Sequence, residues 1–125
     1  KPECRFEDNY FPFTSNTFSP FNSQNTFINR KAAGDYFLFP HVGRMDDIWA
    51  AYYVLSKGNR VIYNKPTVYQ ARNVHNLIED MKKEYIGYEN NLSLITDLKM
   101  NSEKILNYLP ERSIAAWKVY RSLLN

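Results

Sequence analysis

One stretch near the middle of the chain constrains the fold most. Gly43 and the adjacent acids Asp46 and Asp47 lead directly into a segment whose apolar residues recur at intervals of four and three, at Ile48, Tyr52 and Leu55. This spacing predicts an amphipathic α-helix. Gly58 lies just beyond it, where a glycine favours the end of a helix. We therefore expect the chain to be organised around one central helix.

The paired acids at the start of this helix have two interpretations. Asp46 or Asp47 can accept hydrogen bonds from the first free backbone N–H groups, and either charge suits the positive end of the helix dipole. A cap needs only one carboxylate, and two in succession point in different directions. One of them could cap while the other faces a cleft and acts as a general base or supports a metal.

Length and composition bound the class of protein. A chain of 125 residues has the size of one domain. It contains no apolar run of the length needed to span a membrane and no signal-peptide pattern. The single cysteine, Cys4, has no partner for a disulfide or a zinc site. We expect a cytoplasmic protein and, since Lys1 opens the chain without an initiator methionine, a piece of a longer one.

The formal net charge of +3 suits an anionic ligand such as a phosphate. Basic residues are dispersed among acids, whereas nucleic acid favours a continuous basic stripe, so nucleic acid is not the expected partner.

Residues 1–24 are predicted to form an aromatic-rich loop segment, because phenylalanines and tyrosines alternate with small polar residues and prolines. Thr26, Phe27 and Ile28 favour a strand, and residues 60–63 with their continuation at 67–70 favour another. A helix between strands is typical of an α/β fold. We expect a short mixed sheet from residues near 25–29 and 60–70, flanked by the central helix.

The last third is predicted to be helical. Leu77, Met81 and Tyr85 lie four residues apart, Gly87 indicates a break, and residues 91–125 carry further apolar stripes. Arg72 and His75 follow the second predicted strand directly, where ligands often bind in α/β sheets. Each also has an ordinary interpretation, as an ion-pair partner and as a surface residue.

A family resemblance rests on three segments. The run from Gly43 to Ala50, Gly-Arg-Met-Asp-Asp-Ile-Trp-Ala, resembles the Gly-Arg-Tyr-Asp-Asp-Met-Trp-Ala run of the reversibly glycosylated polypeptides, the plant UDP-arabinopyranose mutases. Residues 65–69 are similar to the Leu-Pro-Tyr-Ile-Trp segment of that family, and residues 82–85 match its Lys-Lys-Glu-Tyr. These proteins belong among the nucleotide-sugar enzymes of the GT-A type. The similarity covers roughly residues 21–90.

The resemblance implies that residues 21–90 are the carboxyl-terminal, acceptor-side half of a GT-A-like domain, with residues 91–125 as a helical extension. The chain would be part of a glycosyltransferase that moves a sugar from a UDP-type donor to an acceptor hydroxyl. The Asp-x-Asp that binds UDP and a divalent metal, Mn or Mg, would lie in a missing amino-terminal half. The histidine that follows the tryptophan in the family's second segment is Gln70 here.

The roles implied for individual residues follow from this likeness. Asp47 would be the catalytic base, with Asp46 orienting it or touching the sugar. Arg44 and Arg72 would neutralise phosphate, and His75 would bind a metal or the diphosphate. Trp49 and Asn25 would contact the sugar or the acceptor.

An alternative from another class remains open. The aromatic segment and the helical tail could belong to a non-catalytic module that binds a carbohydrate or a partner protein. Such a module has no need for an Asp-x-Asp. It also has no need for the spacing of Gly43, Arg44, Asp46, Asp47 and Trp49.

Overall fold

The computed structural model describes residues 10–15, 17–71, 74 and 76–124. It has mixed secondary structure, mostly helical with one small sheet. In chain order the elements are β1 (Phe13–Thr14), α1 (Arg30–Ala33), α2 (Asp46–Ser56), β2 (Ile62–Tyr63), α3 (Leu77–Met100) and α4 (Glu111–Ser122), with 3₁₀ turns at Gly43–Met45 and Ser102–Asn107. This agrees with the α/β class in its general sense.

The central helix is confirmed as α2. It ends where the glycine predicted, because Gly58 has a φ of 85° and its N–H donates to the carbonyl of Leu55 at 3.0 Å. Trp49, Ala50 and Tyr53 on its inner side have no exposed surface. The apolar spacing therefore located the helix that organises the core, although Ile48 and Leu55 of the predicted stripe are only half-buried.

The predicted helix break at Gly87 is wrong. α3 runs without interruption from Leu77 to Met100, so the boundary between residues 21–90 and 91–125 falls inside it. Gly87 is buried, and a Cβ there would lie 2.2 Å from the Sδ of Met45. The glycine thus permits close packing of the turn before α2 against α3 and does not end the helix.

The predicted strand at Thr26, Phe27 and Ile28 is also wrong. Local side-chain bonds hold this loop instead, since Thr26 Oγ1 donates to the carbonyl of Asn22 at 2.6 Å and Asn29 caps α1. Of residues 60–70, only Ile62 and Tyr63 form a strand. The partner of β2 is β1, antiparallel to it, with Phe13 opposite Tyr63. That strand lies inside the segment predicted to be a loop.

The core gathers α2, α3, α4 and the segment before α2 around aromatic side chains. Phe39 and Tyr53 are fully buried, and their rings lie 5.5 and 5.1 Å from the ring of Trp117 on α4. Leu94 and Leu98 of α3 and Ile105 of the second 3₁₀ turn join the same cluster. This packing fixes α2 rigidly and leaves its amino-terminal end at the surface.

Candidate functional site

The start of α2 is the candidate site. The chain enters the helix through a turn in which His41 and Gly43 both have a φ of 64°, a conformation that glycine adopts without strain. The N–H of Met45 then donates to the carbonyl of Val42 at 3.2 Å, which closes the 3₁₀ turn. This geometry places Asp46 and Asp47 in the first turn of α2.

The two carboxylates point to different partners. Asp46 Oδ1 accepts the backbone N–H of Asp47 at 2.9 Å. Asp47 Oδ2 accepts both the backbone N–H of Ser23, at 2.9 Å, and its hydroxyl, at 3.1 Å. The two acids therefore point in different directions, Asp46 to the backbone at the helix start and Asp47 to the loop at residues 22–28.

Tyr36 adds a third group to this site. Burial, then the charges of Asp47 and Asp46, raise the pKa of its hydroxyl to about 12. Its ring stacks on Phe21, with centroids 5.3 Å apart. Within the described part of the chain, the buried hydroxyl has no hydrogen-bond partner. The hydroxyl therefore has hydrogen-bonding capacity that the described residues do not use, and a bound molecule would reach it only after the side chains that cover it move.

Sequence reasoning missed Ser23 and Tyr36. Tyr36 lies in an apolar run, residues 36–40, whose composition favours burial, although a tyrosine in such a run needs a place for its hydroxyl. Ser23 lies among polar residues typical of a turn, and its pairing with Asp47 joins residues 24 positions apart. No local pattern reports such a distant contact.

Arg44 lies against α3. Its Nη1 is 2.9 Å from Asp80 Oδ1 and its Nε is 3.0 Å from Glu84 Oε1. Gly43 assists this approach, since a Cβ there would lie 2.1 Å from the backbone oxygen of Lys83. In this arrangement the guanidinium joins the turn to α3, and binding a phosphate would require it to leave these carboxylates.

Trp49 lies in the core. It has no exposed surface, and its indole N–H donates to Asn91 Oδ1 at 2.8 Å. In this position the ring cannot stack on a sugar. Its part in the site is to hold the first turn of α2 against α3.

Asn25 is exposed on the loop that carries Ser23, and its amide donates to Thr67 Oγ1 at 3.3 Å. The structure thus brings Asn25 to the same loop as the partner of Asp47. Arg72 and His75 lie outside the described residues. Among the residues that are described, no cluster of three or more His, Cys, Asp or Glu side chains could hold a metal ion.

A separate half-open cleft of about 460 Å³ lies at the other end of α2. Ser15, Thr17, Arg60 and Lys99 are among the described residues that line it, and none of the described lining residues is a carboxylate. Because α2 rises about 1.5 Å per residue, the two ends of this helix are some 15 Å apart. The cleft is therefore distinct from the paired acids.

Comparisons of this chain with known protein families, curated proteins and solved structures found no match. In the part of the chain that the structure describes, no helix combines the length and the apolar character needed to cross a membrane.

Proposed function

We propose that this chain is the acceptor-side part of a GT-A-type nucleotide-sugar glycosyltransferase, with Asp47 as the general base. The observation that carries the proposal is the way Asp47 is held. Ser23 donates two hydrogen bonds to the same oxygen, Oδ2. The other oxygen, Oδ1, is then the one that an acceptor hydroxyl would meet.

The proposed reaction is inverting transfer. The acceptor oxygen attacks the anomeric carbon of the donor, the bond from that carbon to the diphosphate breaks, and UDP leaves with the electron pair. The proton of the acceptor hydroxyl passes to Asp47. A positioned base of this kind accelerates proton transfer by roughly 10²–10⁴-fold.

Two neighbours suit acceptor binding. The Tyr36 hydroxyl has no hydrogen-bond partner among the described residues, and in this proposal it donates to an acceptor oxygen once acceptor binding has uncovered it. Asn25 lies on the Ser23 loop and can bind a sugar hydroxyl through its amide. In this proposal Arg44 and Trp49 are positioning residues, which hold the turn and α2 against α3.

The nucleotide would be bound by a separate amino-terminal half of a longer cytoplasmic protein, together with Mn or Mg. Arg72 and His75 are the residues of this chain proposed to reach the diphosphate and the metal. The sheet is compatible with such a half, because β1 and β2 form a ribbon of two-residue strands. A ribbon this small is only marginally stable alone, and further strands could extend it.

The test uses the full-length protein that contains this chain, a panel of UDP-sugars and release of UDP as the readout. We expect Asp47→Asn to lower kcat at least about 100-fold with little change in KM. The Asp46→Asn variant should lose less than about 10-fold.

Ser23→Ala distinguishes the proposed proton transfer to Asp47 from the orientation of its carboxylate by Ser23. It removes one hydrogen bond to Asp47 but keeps the carboxylate, so it should reduce kcat much less than Asp47→Asn does. Thermal unfolding of each variant checks the fold. If Asp47→Asn turns over like the wild type, Asp47 is not the base.

A further inference from the structure

The side of α3 turned away from the core carries a row of exposed apolar side chains. Their fractional exposures are 66% for Ile78, 59% for Met81, 63% for Tyr85, 65% for Tyr88 and 84% for Leu92. Large apolar residues gathered on one part of a surface mark a contact with another molecule. We refer to these five residues as the α3 stripe.

The α3 stripe has the spacing of a coiled-coil seam. Successive members lie three, four, three and four residues apart, and Ile95, which is half-buried because it also packs against the core, continues the series. Two helices pack along such a seam when it repeats every seven residues. The core side of α3 uses different positions, among them Gly87, Leu94 and Leu98. Among the residues that the structure describes, this second apolar side of the helix is largely exposed.

We propose that the α3 stripe packs antiparallel against the α3 stripe of a second copy of this chain. In an antiparallel pair, Met81 packs beside Leu92 of the second copy, and Tyr85 beside Tyr88. Ile78 packs beside Ile95. Every layer of the seam is then apolar.

The charges beside the stripe select this orientation. Lys82 and Glu89 border one edge of the seam, and Glu84 borders the other. In an antiparallel arrangement, each edge of the seam meets the same edge of the second copy. Lys82 therefore faces Glu89 of the second copy, and the two-fold symmetry gives two such ion pairs in each dimer. Glu84 then faces the neutral Asn91. Complementary charges at these positions set partner choice and orientation.

A parallel arrangement is disfavoured by the same residues. It brings opposite edges together, which separates Lys82 from Glu89 of the second copy and places Glu89 near Glu84, a carboxylate that already pairs with Arg44. The antiparallel pair requires Lys82 to exchange its partner within the helix, Glu79 at 2.8 Å. The side chains of that pair are 67% and 52% exposed, so the exchange costs little.

Sedimentation equilibrium of the 125-residue chain tests the proposal. We expect a monomer–dimer equilibrium in the wild type. Leu92→Glu should weaken it more than about 100-fold, because a charge would replace a buried leucine in the seam. Val119→Glu is the matched control, since Val119 is also exposed, at 62%, but lies on α4. It should leave the dimer unchanged.

Charge reversal tests the orientation. Glu89→Lys and Lys82→Glu should each weaken the dimer roughly 10-fold, because each replaces two attractive pairs with two repulsive ones. The double variant should restore it. Tightening of the dimer by Glu89→Lys would show a parallel pair and overturn the proposal.

Two further results would overturn the pairing itself. One is a wild-type chain that stays monomeric at concentrations of about 200 µM, which would point to a different occupant of the stripe. The other is a dimer that Leu92→Glu does not affect. Circular dichroism of each variant confirms that α3 remains folded.

Discussion

The two sides of α3 are built from similar residues and have different surroundings. On the covered side, Leu94 and Leu98 are buried and Gly87 lies against Met45. On the open side, the α3 stripe carries side chains of equal size in contact with solvent. On the covered side, glycines stand where the turn before α2 approaches α3 most closely. These are Gly87 on α3 and Gly43 on the turn. Apolar spacing thus predicts that a helix side will pack against something. The glycines mark the side that packs against another part of the same chain.

The largest expected effect comes from a pair of leucines two residues apart. Leu94 is fully buried, whereas Leu92 is 84% exposed. Leu94→Ala should lower the free energy of unfolding by about 3 kcal/mol, because it leaves a cavity in the core. Leu92→Ala should change it by less than about 0.5 kcal/mol when the protein is dilute enough to be monomeric. Urea denaturation measures both, and equal losses would contradict the assignment of the two sides.

A matched glycine pair tests the close approach of the turn to α3. Gly43 and Gly58 both have positive φ, 64° and 85°. Gly58 has open space around the position of a Cβ, whereas at Gly43 a Cβ would meet the backbone of Lys83. Gly58→Ala should therefore cost about 1 kcal/mol of stability. Gly43→Ala should cost about 2 kcal/mol more, because backbone must move. If Gly43→Ala and Gly58→Ala had similar urea midpoints, the turn at Gly43 would not be closely packed against α3.

The free energy of unfolding at alkaline pH tests whether the Tyr53 hydroxyl is buried in the core that packs against α3. Burial, followed by the charge of Glu103, raises the pKa of Tyr53 from 10.0 to about 12. The folded state therefore holds this proton more tightly than the unfolded state. The resulting stability is complete below pH 10 and is lost as the pH rises toward 12. We expect Tyr53→Phe to flatten the decline in stability over this interval, measured by urea denaturation at successive pH values. If Tyr53→Phe left the dependence of the unfolding free energy on pH unchanged, the Tyr53 hydroxyl would be in contact with water.

The smallest effect on stability is expected for Arg44, which lies on the turn before α2 and pairs with two carboxylates of α3. Its side chain is 42% exposed, and exposed ion pairs contribute little. Arg44→Gln should reduce the free energy of unfolding by less than about 1 kcal/mol, and the difference should shrink as salt is added. A loss above about 2 kcal/mol that salt does not alter would show that the pairs with Asp80 and Glu84 are buried.

The helices could be predicted from the sequence because their signals are local. The spacing of Ile48, Tyr52 and Leu55 located α2, and Gly58 located its end. Gly87 could not be interpreted in this way, because a glycine that breaks a helix and one that admits a neighbouring side chain look alike until the neighbour, Met45, is known.

The site was predictable in part. The paired acids were recognised, and the expectation that they point in different directions is consistent with their contacts. What each acid contacts depends on residues distant in the chain, such as Ser23 for Asp47. The positions of Arg44 and Trp49 likewise depend on α3, through contacts with Asp80 and Asn91 that lie 36 and 42 residues further along the chain.

Calorimetric titration of UDP with Mn²⁺ tests the central claim, that this chain is the acceptor-side part of a nucleotide-sugar enzyme. The titration is made into the full-length protein and, in parallel, into the 125-residue chain. We expect UDP to bind the full-length protein, to bind it more weakly after Arg72→Ala or His75→Ala, and to bind the 125-residue chain alone much more weakly. Absence of UDP binding to the full-length protein would contradict this claim, and so would equally tight binding to the isolated chain.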